Sequence, residues 1–146
     1  MTSFDEYTSG SFGYKVNKSA RLITQRLAHN FQKSGLEVTV EQWRILLYLY
    51  REDGQPQVSL AESTGKDVTT ISRTIDTMEK HDLIFRTRHR GDRRTNLIYL
   101  TEKGGNMREK LMSIGQKTNR EVTQGIAQEE IEACIRALNK VIENLS

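Results

Sequence analysis

The chain has 146 residues, 36% of them hydrophobic and 28% charged, with a net charge of +3 and one cysteine. That length suits one domain able to bury a core, and the single cysteine excludes an intrachain disulfide. The longest unbroken apolar run, Ile45 to Tyr50, is far short of the roughly 20 residues that span a bilayer, so no membrane association is expected.

The opening residues, Met1 to Glu6, show neither a basic stretch nor an apolar one. This predicts no signal peptide and a cytoplasmic protein, with the first dozen residues the one place for disorder. Val16, Ala20, Ile23, Leu27 and Phe31 then recur at helical spacing, predicting a helix over about 14–33 that Gly35 ends. Thr39 with Gln42 reads as a capping box, flanked by Val38 and Trp43 as a hydrophobic staple, and starts a helix apolar almost all round. Residues 52–56 read as its exit loop.

Ser59 with Glu62 reads as a second capping box, for a short helix over 60–64 that Gly65 stops. Lys66 and Asp67 make a tight connection, and Asp67 can cap the next helix. That helix places Val68, Ile71, Ile75 and Met78 on one face and Thr69, Thr70, Ser72, Arg73, Thr77 and Lys80 on the others. Residues 84–90 and 94–100 read as strands joined by a Gly91-Asp92 turn. Thr101 can cap a long helix carrying Met107, Leu111, Ile114 and Val122. A final helix over about 128–144 carries a stripe of Ile131, Ile135, Leu138, Val141 or Ile142, and Leu145. The predicted fold is mainly α with a small β-hairpin: a winged helix-turn-helix between terminal helices.

Charge is concentrated in that hairpin. Arg86, Arg88, Arg90, Arg93 and Arg94 against Asp92 give it +4, more than the whole chain's +3. A local guanidinium cluster beside a polar-faced helix is what a polyanion-binding surface needs. The second helix of a helix-turn-helix enters the major groove. Arg73 is therefore the candidate for sequence reading, Thr69, Thr70, Ser72 and Thr77 for phosphate positioning with modest base selectivity, and the helix N-terminus for a phosphate. Arg88, Arg90, Arg93 and Arg94 are candidates for the adjacent minor groove, with Asp92 fixing the direction of Arg94.

The helix-turn-helix, the hairpin with Asp92-Arg93-Arg94 and the run Leu100-Thr101-Glu102-Lys103-Gly104 together resemble the MarR family of bacterial transcriptional regulators. Thr39 to Trp43, Leu60-Ala61 and Met78-Glu79 extend the likeness over nearly the whole chain. The resemblance implies a winged helix-turn-helix over 36–101 and dimerisation helices over 1–35 and 102–146. It also implies a homodimer on a pseudo-palindromic double-stranded operator, repression, and release by a small-molecule effector or an oxidant. The family has glycine where Asp82 stands, a left-handed position that Asp tolerates, and often proline near Arg90. Independently, the apolar stripes of the terminal helices lie outside the winged core, as an association surface would.

Two rival readings are a winged-helix module that binds an acidic protein, and a redox or ligand sensor with little DNA binding. Only Phe85 and Tyr99 offer strand aromatics for stacking, which disfavours RNA. His29, His81, His89 and Cys134 lack metal-ligand spacing, so no metal and no cofactor are expected. Cys134 reads as a buried, inert thiol. Trp43, Tyr48 and Tyr50 read as core. No glycine-rich phosphate loop, nucleophile triad or carboxylate pair supports an enzyme.

Overall fold

The structure, a computed structural model, describes residues 1–89 and 91–146, with the backbone alone for His89 and 92–95. Among the described residues the elements in chain order are α1 (Phe4–Gly10), α2 (Phe12–Lys33), α3 (Val40–Arg51), β1 (Gln55–Pro56), α4 (Gln57–Thr64) and α5 (Val68–Lys80). There follow β2 (Ile84–His89), β3 (Asp92–Leu100), α6 (Glu102–Asn106), α7 (Arg108–Val122) and α8 (Gln128–Leu145). The mainly α class with a small hairpin wing is as expected.

The core gathers around α3. Trp43, Ile45, Leu46 and Leu49 pack with Leu60 of α4, Ile71, Ile75 and Met78 of α5, Leu83, Ile84 and Ile98 of the sheet region, and Leu111 of α7. Each such side chain contributes about 1.5–3 kcal/mol by leaving water, so stability is concentrated in the segment that holds α5 and the hairpin. The predicted box at Thr39 and Gln42 forms in both directions. Phe31 meets Trp43 edge-on at 5.8 Å and ties α2 to this core.

Several expectations are corrected. Ser3 and Glu6 form a capping box that starts α1 inside the first dozen residues. The Ser59–Glu62 box is not used, because α4 starts earlier: Pro56 is its N-cap, without a side-chain cap bond. Proline has no amide to lose, and its fixed φ suits a helix start. Gln55 and Pro56 are a strand, not loop, and pair with Ile98 and Leu97 of β3. Asp92 lies in β3 rather than in the connecting turn. Val68 is exposed, leaving Ile71, Ile75 and Met78 as the apolar face of α5. The long helix expected after Thr101 is two helices, α6 and α7, meeting at Met107. Cys134 is exposed in the chain, not buried.

The sheet order is β1-β3-β2, antiparallel throughout. Register runs from Ile84 opposite Leu100 to Arg88 opposite Asn96, then breaks between Arg88 and His89. Asp82 has φ +59, the left-handed conformation expected of it. The turn around it is bound to the start of α6. The Thr101 amide donates to the Leu83 carbonyl at 3.2 Å, Thr101 Oγ1 to the Asp82 carbonyl at 2.5 Å, and Lys103 Nζ to the His81 carbonyl at 2.9 Å. Gly104 is where this contact demands glycine, because a Cβ there would run into the Leu83 carbonyl oxygen. Tyr50 closes the junction by donating its hydroxyl to the Gly104 carbonyl at 2.7 Å. Burial pushes its phenol up to about 12, so it remains a donor.

Two outer helices hold each other through polar groups. Asn30 Nδ2 of α2 donates to Thr118 Oγ1 at 2.8 Å and to Glu121 Oε1 at 3.0 Å, and Arg26 pairs with Glu121 at 2.7 Å. In α8 every residue is exposed or half-buried, and Ile135, Ile142 and Leu145 are exposed.

Candidate nucleic-acid interface

The connection between α4 and α5 is as tight as the sequence predicts. Gly65 takes φ +70, and the Lys66 amide donates to the Ala61 carbonyl at 3.2 Å, closing the end of α4. Asp67 then caps α5 by accepting from the Thr70 amide at 2.7 Å. That bond, with help from the Thr70 hydroxyl, the Thr69 amide and the Arg73 charge, holds the Asp67 carboxyl below the usual carboxylate range. A negative group thus already occupies the helix N-terminus, and the phosphate expected there meets a carboxylate instead.

Burial of Ile71, Ile75 and Met78 fixes which side of α5 faces outward. Thr69, Arg73 and Thr77, at successive steps of four, are exposed along the opposite side. Thr70 is exposed on one flank and Ser72 half-buried on the other. The Thr77 hydroxyl donates to the Arg73 carbonyl at 3.2 Å, leaving its lone pairs to accept.

Alternation along β2 places Ile84, Arg86 and Arg88 on one face. Ile84 is buried and Arg88 exposed, so that face runs from the core outward past α5. The side chains of Asp92, Arg93 and Arg94, and Arg90 entirely, lie outside the described residues. The backbone of 92–94 is in β3, at the far end of the hairpin from the core. The expected coupling of Asp92 to Arg94 falls on those side chains.

Arg86, counted with the basic run, is engaged otherwise. Its NH1 pairs with Asp76 at 2.6 Å and reaches Glu79 at 3.4 Å. Its NH2 donates to the Ser72 carbonyl at 3.3 Å, and Nε to Gln57 Oε1 at 3.3 Å. Sequence reading missed this cluster. The signal was present: Asp76 and Glu79 sit three apart on α5, and Arg86 shares a strand face with Ile84.

Among the described residues no group of three or more His, Cys, Asp or Glu could hold a metal ion, and no helix is long and apolar enough to cross a membrane. A cleft of about 720 Å³ lies where α2, the start of α3 and the end of α5 meet; Thr24, Ala28, Leu36, Val38, Thr77 and His81 are among its walls.

Comparison with known proteins agrees with this geometry. The model of the MarR family matches residues 38–95, which span α3, β1, α4, α5, β2 and the start of β3. A MarR transcriptional regulator from Methanosarcina mazei Go1 is 24% identical with a TM-score of 0.82, over 90% of this chain and 94% of that one. A mutant MarR from E. coli complexed with operator DNA is 20% identical with a TM-score of 0.85, over 96% and 99% of the two chains. The transcriptional repressor CouR, bound to a 23-mer DNA duplex, is 20% identical with a TM-score of 0.85, over 97% and 99%. The likeness therefore has two parts: the MarR family model matches residues 38–95, and the fold of the chain is that of these winged-helix structures.

Proposed function

We propose that this chain, with its MarR-family segment, is a sequence-specific DNA-binding transcriptional regulator: a homodimeric repressor of a pseudo-palindromic operator, released by a small molecule. The observation that carries the reading is the pairing of an outward line, Thr69, Arg73 and Thr77, with a basic hairpin beside it. Arg73 reads a base edge in the major groove. Thr69, Thr70, Ser72 and Thr77 position the helix on phosphates, and Arg88, Arg90, Arg93 and Arg94, the last held by Asp92, serve the neighbouring minor groove and its phosphates. Two solved relatives of the same fold are on DNA.

The homodimer is supported by the unpartnered apolar side chains of the terminal helices, Phe4, Tyr7, Phe12, Ile135, Ile142 and Leu145. Residues 1–35 and 102–146 supply this association surface, and 36–101 read the DNA. Release by a small molecule is supported by the cleft between α2, α3 and α5, because an occupant there touches Thr77 of the reading helix and the scaffold helix α2 together.

Selection of bound duplexes from a random pool tests the reading. The expected product is a two-fold site whose half-sites lie about 34–36 Å apart. Recovery of no duplex at low salt, or of sites without symmetry, contradicts it.

A further inference from the structure

We infer that Arg86 is a positioning residue that sets the angle of the wing on the recognition helix, not one of the guanidinium groups that meet DNA. The inference rests on the DNA-binding reading above. Its side chain is only 20% exposed, and two carboxylates, Asp76 and Glu79, face it from α5. The two carboxylates offset its charge, so the cluster presents no net positive charge to a phosphate. Its remaining donors are directed inward, to the Ser72 carbonyl of α5 and to Gln57 at the start of α4. Glu79 completes the tie from the other side by accepting from the Arg86 backbone amide at 3.1 Å.

The position of this cluster along the hairpin gives it leverage. Arg86 is opposite Ile98, and Ile98 is paired in turn with Gln55 of β1. One rung of the ladder therefore holds the hairpin by both strands: β1 grips β3, and Arg86 bonds β2 to α5. Beyond that rung residues 87–89 of β2 extend about 10 Å at the rise of a strand. A tilt of about 10° at Arg86 would move the end of β2 by roughly 1.7 Å, enough to break a hydrogen bond of ordinary length. The wing and α5 must reach adjacent grooves of one duplex together, so their mutual angle is itself part of the binding site. Asp76 and Glu79 fit this account. On a DNA-facing helix, two acids otherwise oppose binding.

The test uses the full chain and a duplex recovered from random-pool selection, with affinity and hydroxyl-radical footprints measured for Arg86→Lys, Asp76→Ala, Glu79→Ala and Arg94→Ala. Glu79→Ala removes a negative charge, yet it is expected to weaken binding about three- to tenfold. It should also erase protection of the flanking minor grooves while major-groove protection stays. Arg86→Lys keeps the charge but not the fork, and should behave likewise. In either background, adding Arg94→Ala should cost little more. Tighter binding by Glu79→Ala, or intact flank protection in Arg86→Lys with additive losses on Arg94→Ala, overturns the inference alone. Asp76→Ala and Glu79→Ala alter exposed side chains, so they decide the matter even if Arg86→Lys unfolds. If the unsubstituted chain binds no duplex, the DNA-binding reading and this inference fall together.

Discussion

Asn30 donates to Thr118 across 88 residues of sequence, and this buried 2.8 Å bond joins α2 to α7. Thr118 Oγ1 in turn donates to the Ile114 carbonyl at 2.8 Å, so the hydroxyl is satisfied on both sides. Replacing Asn30 with leucine removes the donor and leaves Thr118 and Glu121 short of a partner. A buried acceptor so stranded costs about 1–3 kcal/mol. The expected result is a fall of roughly 2–10 °C in melting temperature, followed by circular dichroism. An unchanged melting curve would show that α2 and α7 do not depend on this bond.

The same cluster has an acid limb. Hydrogen bonding from Asn30, then from Arg26 with its charge, holds the Glu121 carboxyl below its ordinary 4.5. A carboxyl lowered in the folded state binds fewer protons there than when unfolded. Its stabilisation is thus present above about pH 4.5 and is lost as pH falls through the folded value. Glu121→Gln should leave a smaller stability difference between pH 6 and pH 3 than the unsubstituted chain shows, measured by urea unfolding at each pH.

Gly104→Ala puts a methyl group against the Leu83 carbonyl oxygen. Backbone cannot step aside as a flexible side chain can, so a loss of about 1–3 kcal/mol is expected. Gly105, one position on, has open space at its Cβ. Gly105→Ala is therefore the control, and it should be neutral or slightly stabilising in the same unfolding experiment.

Arg73→Ala and Arg94→Ala should fail differently. Loss of a bidentate contact to guanine costs about 1–3 kcal/mol and relaxes preference at that base. Loss of a wing arginine lowers affinity for many sequences and reduces the slope of log K against log salt by about 0.9. Titrations on matched and mismatched duplexes at several salt concentrations separate the two. Identical changes in both would contradict the division between α5 and the wing.

Ile135→Asp places a charge on the exposed stripe of α8. If that stripe is buried between two copies, the substitution should shift the protein from dimer to monomer in sedimentation equilibrium. Non-specific affinity should fall with it, since half the phosphate contacts leave. A protein monomeric before substitution would remove the homodimer from the proposal.

The sequence was legible where one local signal had one physical meaning. Thr39 with Gln42, Asp67 and Thr101 cap helix starts through their side chains, and Gly65 ends α4 through its left-handed backbone. The outward line on α5 followed from its apolar face. Signals failed where a long-range contact outweighed the local one. Pairing with β3 makes a strand of Gln55 and Pro56, and α4 begins from there rather than at Ser59. Approach to the Leu83 carbonyl shapes α6 around Gly104 and precedes the break at Met107. Composition placed Arg86 with its basic neighbours; the spacing of Asp76 and Glu79 on α5 was a hint, and the packing of β2 on α5 is what brings the two acids to it.

The bonds from Thr101 and Lys103 to residues 81–83 make the end of α5 and the start of α6 a single rigid piece. Met107 is the first junction beyond that piece. Beyond it, Leu111 of α7 and Phe31 of α2 still pack into the core with α5, so a sideways push on the outer scaffold reaches the reading helix both through this piece and through the shared core.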